Sequence, residues 1–187
     1  NLTYSCVHAN KAWWGSAIYG VGGAIINSMD TNVTHNTLII GANCGGAVRV
    51  EGAASSLEVS GGFIEYNQGS SACNSDWGAG LSCEEATCSY DGITVLGNDA
   101  HRGAGVFQNK GSLRVSNALF ENNGGQMTEY GAAIYCSGEP VANLVVCTIV
   151  SSTFKANVAK KSPDGWGGAI ATQGNVQLTL RDVSLAN

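Results

Sequence analysis

Gly131-Ala-Ala-Ile134, followed by Phe154-Lys-Ala-Asn157, is the stretch that decides the fold, because the same pair of signals returns along the whole chain. Gly45-Gly-Ala-Val48 precedes Ile64-Glu-Tyr-Asn67, Gly78-Ala-Gly-Leu81 precedes Val95-Leu-Gly-Asn98, and Gly103-Ala-Gly-Val106 precedes Phe120-Glu-Asn-Asn123. Gly22-Gly-Ala-Ile25 and Ile40-Ile-Gly-Ala-Asn43 form a related pair, and Gly167-Gly-Ala-Ile170 opens a last copy. An internal repeat of this length fixes architecture before any single residue does.

Aligned on the closing Asn, apolar positions recur ten, eight and three residues before it. The sets are Val33, His35, Ile40, Asn43; Leu57, Val59, Ile64, Asn67; Cys88, Tyr90, Val95, Asn98; Leu113, Val115, Phe120, Asn123; and Cys147, Ile149, Phe154, Asn157. Leu2, Val7 and Asn10 fit the end of an earlier copy, and Leu178, Leu180 and Leu185 fit a final one. The two-residue step reads as a short strand, and the five-residue step spans a turn into a second strand. The Gly-x-Ala-Ile segment supplies a third. The pattern predicts an all-β, single-stranded right-handed parallel β-helix of about six to seven coils, each burying a face against its neighbours. A β-sandwich is the competing architecture, but it does not require equal offsets in every copy. The start of one coil is open between Gly15, in Trp14-Gly-Ser-Ala-Ile18, and Gly22.

The Gly-Gly-Ala-Ile and Phe-x-x-Asn pair resembles the repeat of the chlamydial polymorphic outer membrane proteins and related bacterial and protist surface repeats. Gly22-Gly-Ala-Ile25, Gly167-Gly-Ala-Ile170, Phe120-Glu-Asn-Asn123 and Phe154-Lys-Ala-Asn157 match literally. The resemblance implies a surface-displayed passenger or adhesin.

Composition narrows the class. The 187 residues suffice for one domain, 1–187, with a sizeable core, and read as a segment of a larger polypeptide. A formal charge of −5 argues against nucleic acid. No apolar run approaches the roughly 20 residues that span a bilayer. Seven Cys and the sequons at Asn1 and Asn32 predict an extracellular or cell-surface glycoprotein.

Cys83 and Cys88 occupy the same two sites on one coil as Cys136 and Cys147 on another, so each pair is expected to close a corner. Cys44 and Cys73 lie between an Asn and the next Gly and could pair between coils, leaving Cys6 over. No Cys-x-x-Cys or matched His pair supports zinc, and no metal or cofactor is expected. Asn43, Asn67, Asn98, Asn123 and Asn157 are expected to stack as a structural ladder, the Asn itself taking the left-handed turn.

A column of Trp14, Trp77, Arg102, Tyr130 and Trp166, with Asp164 beside it, precedes the Gly motifs. It reads as a packed stack roofing one edge, or as a strip that binds sugars or a partner chain. Asp76, His101, Arg102 and Glu129 are the only constellation resembling acid–base machinery, with Asp76, His101 and Glu129 as the candidate catalytic groups, and no hydrolase or lyase motif accompanies them. Three functions follow: a non-catalytic scaffold packed against other copies or chains of a surface assembly, an adhesin or carbohydrate-binding passenger, and a polysaccharide lyase or glycoside hydrolase.

Overall fold

A computed structural model describes residues 1–38, 45–70, 77–139, 144–160 and 166–186. Among these residues all regular structure is β, and every strand pairing is parallel, unlike the antiparallel sheets of a sandwich. The strands form sheets of seven, seven, six and two members. One repeat illustrates the path. Ile134–Ser137 lies in the six-stranded first sheet, Val145–Val150 in the second, and Thr153–Lys155 in the third. The chain then returns to the first sheet as Ile170–Gln173, paired on Ile134–Ser137. Each repeat thus places one short strand in each long sheet.

The register stacks like on like. Val48, Leu81, Val106 and Ile134 form one interior column, and Leu57, Cys88, Leu113 and Cys147 another. Val33, Ile64, Val95, Phe120 and Phe154 form a third, in which the two Phe rings lie 4.8 Å apart and 4° from coplanar. These columns belong to one buried cluster, so each repeat closes the core of the next. Fully burying one such aliphatic side chain contributes about 1.5–3 kcal/mol. Leu178, Leu180 and Leu185 continue the columns, at 36, 44 and 60 % exposure.

The offsets of ten, eight and three therefore hold, but the register of one repeat moves. The ladder residue between Asn10 and Asn67 is Asn36, not Asn43, which lies outside the described residues, as does Ile40. Counting back from Asn36 gives Val33, Ser28 and Ile26, which pair with Ile64, Val59 and Leu57. His35, expected to face inward, is exposed in a turn. The strand of the first sheet opens at Gly15, because Ile18 pairs with Val48. Gly22-Gly-Ala-Ile25 is a turn between Ile18–Val21 and Ile25–Met29, despite its literal match to the motif.

The motif Gly has a specific task. Gly131 has φ 50°, and a Cβ there would sit 2.3 Å from the Ile134 carbonyl oxygen. Gly15, Gly103 and Gly167 meet Ile18, Val106 and Ile170 in the same way. Only a residue without a Cβ lets the chain turn this tightly into the strand.

The Asn corner differs from expectation in one respect. The left-handed residue is the one before each Asn: Ala9, His35, Tyr66, Gly97, Asn122 and Ala156 have φ between 50° and 61°. Asn is selected for its amide. Asn36 donates its backbone N–H and Nδ2 to Asn67 Oδ1, each at 3.0 Å, and Asn67 does the same to Asn98. Asn98 continues to Asn123, and Asn123 to Asn157. Each Nδ2 also reaches a carbonyl of the preceding repeat, such as Val33 for Asn67 and Ile64 for Asn98.

Two corners are covalently closed. Cys83 joins Cys88 and Cys136 joins Cys147, with Cα separations of 6.6 and 6.9 Å. Between them sits Gln108, fully buried, whose Nε2 donates to the Ala86 carbonyl at 3.2 Å and to that of Lys110. Tyr90 is fully buried beside the first bridge, its hydroxyl 3.0 Å from Cys83 Sγ, and burial pushes the phenol far above its ordinary range. Cys44 and Cys73 lie outside the described residues, and Cys6 is exposed and unbridged.

Candidate functional site: the roofed face of the first sheet

One residue after each interior position of the first sheet, the strand points outward. The register aligns Tyr19, Arg49, Ser82, Phe107, Tyr135 and Ala171 along this face. Outward residues are normally wet, yet Arg49, Ser82, Phe107 and Tyr135 are at most 4 % exposed. They are covered by the residues preceding the motif glycines. Gly45, Trp77, Arg102, Tyr130 and Trp166 are bridged to one another in that order, so the column read from the sequence is continuous from Trp77 to Trp166, with Gly45 and not Trp14 bridged before it.

The roof fits its face ring by ring. Trp77 stacks on Phe107 at 4.9 Å and 16°, and Phe107 stacks on Tyr135 at 5.8 Å and 23°. Tyr130 tilts against Tyr135 at 5.9 Å and against Trp166 at 6.3 Å. The Arg102 guanidinium lies 5.1 Å from the Tyr130 ring centre. Trp14 packs in the same manner on Arg49, whose Cζ is 5.1 Å from the indole. Such ring and cation contacts add about 0.5–1.5 kcal/mol each beyond the area they bury.

Arg49 is charged and buried, and the structure supplies its counter-ions. Its Nη2 donates to Glu84 at 2.7 Å and Glu51 at 3.0 Å. Tyr19 donates its hydroxyl to Glu51 at 3.1 Å, and burial together with that carboxylate raises the Tyr19 phenol. Sequence reading missed this group. Its signal was available: Arg49 follows Val48 as Phe107 follows Val106 and Tyr135 follows Ile134.

Of the acid–base constellation, His101 and Glu129 meet, with Nε2 2.5 Å from Oε2. His101 is buried at 5 % exposure, and the Glu129 backbone N–H donates to the His101 carbonyl at 2.8 Å. The pair can share a proton, but glycoside hydrolysis needs a second carboxylate across the substrate. Asp76 and Asp164 lie outside the described residues. Nearby, Asp99 accepts from the Thr128 hydroxyl at 3.0 Å, and burial raises its carboxyl above the ordinary value of 3.8 against the lowering effect of that bond.

The remaining sites are dispersed. Asn1 is exposed and Asn32 half-buried, with Asn32 Oδ1 accepting from the Phe63 N–H at 3.2 Å. Among the described residues no three His, Cys, Asp or Glu side chains gather to hold a metal, and no helix is long and apolar enough to cross a membrane. No family model, curated protein or solved structure matches the chain.

Proposed function

We propose that this chain is a right-handed parallel β-helix serving as a non-catalytic extracellular scaffold, a stiff spacer in a cell-surface or fibre assembly. One observation carries the reading: the asparagine ladder is unbroken from Asn10 through Asn36, Asn67, Asn98 and Asn123 to Asn157. The amides most regularly placed in the chain face the next repeat and not a cleft. Parallel pairing at about 4.8 Å per repeat makes the length of such a rod proportional to repeat number. The partners are other copies or other chains of the assembly, with N-linked glycans at Asn1 and Asn32. The resemblance to surface-protein repeats and the two closed cysteine corners favour the same location.

The experiment is surface labelling of intact source cells with a membrane-impermeant amine reagent, followed by cross-linking of the native material. A scaffold is labelled on whole cells and cross-links to repeats of its own kind or to fixed surface neighbours. Recovery as an unlabelled, uncross-linked intracellular monomer overturns the reading. The hydrolase or lyase alternative rests on the His101–Glu129 contact. It requires depolymerisation of a polysaccharide that is lost in Glu129→Gln with the fold intact.

A further inference from the structure

The outward face of the second sheet is built to match itself. Its inner strands Ile25–Met29, Ser56–Ser60, Thr87–Asp91, Ser112–Ser116 and Val145–Val150 stand in register, with Thr87–Asp91 in the middle. Their outward side chains fall into three columns. The first reads Ile25, Ser56, Thr87, Ser112, Val146; the second Asn27, Glu58, Ser89, Arg114, Thr148; the third Met29, Ser60, Asp91, Ser116, Val150. From the middle repeat outward, each column meets the same kind of residue in both directions. Ser56 and Ser112 flank Thr87, Ser60 and Ser116 flank Asp91, and apolar residues end the first and third columns. The middle column differs only in sign, with Glu58 one repeat before Ser89 and Arg114 one repeat after it. Nothing roofs this face as the first sheet is roofed, since Glu58, Thr87, Asp91 and Arg114 are all exposed. Among the described residues neither Glu58 nor Arg114 has an ion-pair partner.

We propose that this face packs on the same face of a second copy, the two rods antiparallel about a two-fold axis along the Thr87–Asp91 strand. The proposal deepens the scaffold reading, which names other copies as partners, and rests on it for where the contact operates. Rotation about that axis reverses the order of repeats and keeps the order along each strand, so each column meets itself inverted. Glu58 of one copy faces Arg114 of the other, and Arg114 faces Glu58, so one symmetry operation makes two ion pairs. Ile25 meets Val146, and the serines meet serines, small enough for two sheets to pack about 10 Å apart. Parallel rods would set Glu58 against Glu58 and Arg114 against Arg114, which selects the antiparallel arrangement. Asp91 lies on the axis, but its carboxylate accepts from Ser116 Oγ at 2.7 Å and Asn117 Nδ2 at 2.8 Å. Both donors belong to the following repeat, so the two Asp91 groups are drawn to opposite sides of the axis. Asn1, with its sequon, stands beyond Asn27 at the margin of the patch. The patch is about 17 by 24 Å, roughly 400 Å² per copy, which is about half the area of a standard interface and suits a reversible lateral contact.

The test is sedimentation equilibrium of the full chain in low and high salt. A monomer–dimer equilibrium is expected, with a dissociation constant of about 10–100 μM that high salt weakens about fivefold or more. Glu58→Arg or Arg114→Glu alone turns both ion pairs into repulsions and weakens pairing about tenfold or more. An equimolar mixture of these two variants pairs again, within about threefold of the native chain, because each supplies the sign the other lacks. That rescue also shows that both variants are folded. A chain that stays monomeric at every concentration overturns the proposal and leaves the face to a different partner. So does a dimer that neither reversal weakens, a mixture no better than either variant alone, or growth beyond the dimer as concentration rises. None of these outcomes bears on the scaffold reading, which cell-surface labelling decides separately.

Discussion

At the corner after the third sheet, Asn36, Asn67, Asn98 and Asn123 each make the same contacts: two donors to the next Asn and one to a carbonyl of the preceding repeat. On the outer face of the first sheet, Trp14 covers an arginine and Trp77 a phenylalanine, while Tyr130 packs on a tyrosine. The corner is repeated because a backbone turn has one geometry, and its orphaned polar groups have one remedy. The roof varies because covering a flat strand face asks only for bulk. Identity along a column therefore marks what the fold requires, and variation marks where a binding property can be placed.

That contrast can be broken by substitution. Asn98→Ala strands the Asn67 donors and the Ile64 carbonyl in a fully buried site. With about 1–3 kcal/mol per unsatisfied group, a loss of about 3–5 kcal/mol is expected in urea unfolding. Hydrogen exchange should accelerate first in the repeats on either side. A loss below about 1 kcal/mol would mean that water replaces the ladder and would erase the distinction between corner and roof.

Opening the Cys136–Cys147 corner by Cys147→Ala with Cys136→Ala is expected to cost about 2–3 kcal/mol, from the loop it closes. The same exchange at Cys83 and Cys88 additionally uncouples Tyr90. Trp77→Ala uncovers Phe107 and is expected to cost about 2 kcal/mol, with no change in exchange at Asn67 or Asn98. Asn10→Ala, at the exposed end of the ladder, should cost well under half of Asn98→Ala.

The smallest effect expected is one of pH. Burial raises the Asp99 carboxyl above 3.8, so its ionised form weakens the fold, and that penalty fades as pH falls through the raised value towards 3.8. Asp91 is the reverse. The Ser116 hydroxyl and the Asn117 amide hold it below 3.8, and its stabilisation is lost as pH falls through that lowered value. Asp99→Asn should therefore hold or raise the melting temperature at neutral pH, and Asp91→Asn should lower it. Equal responses would show that neither shift reaches the stability of the fold.

The strand register was legible in the sequence where an aromatic ring stood three places before the Asn, as at Phe120 and Phe154. It slipped by seven residues near Asn36 because Ser28 holds an interior position and Ile40-Ile-Gly-Ala-Asn43 imitates the signal. Short motifs report turns, and Gly22 and Gly23 serve a different turn from Gly15. The aromatic column was legible because its members precede a fixed glycine. The residues beneath it were not read, since period-two alternation assigns Arg49 and Phe107 to solvent and only the roof buries them.

The two described disulfides have a mechanical consequence. Each closes a loop within a single repeat, across sequence separations of 5 and 11 residues, and neither ties one repeat to another. A chain pulled from its ends can therefore peel away repeat by repeat, the interior columns parting one layer at a time, while each closed corner withholds only a few residues of slack. A stack of repeats closed in this way yields in steps under load and keeps its corners pre-shaped for re-stacking when the load is removed.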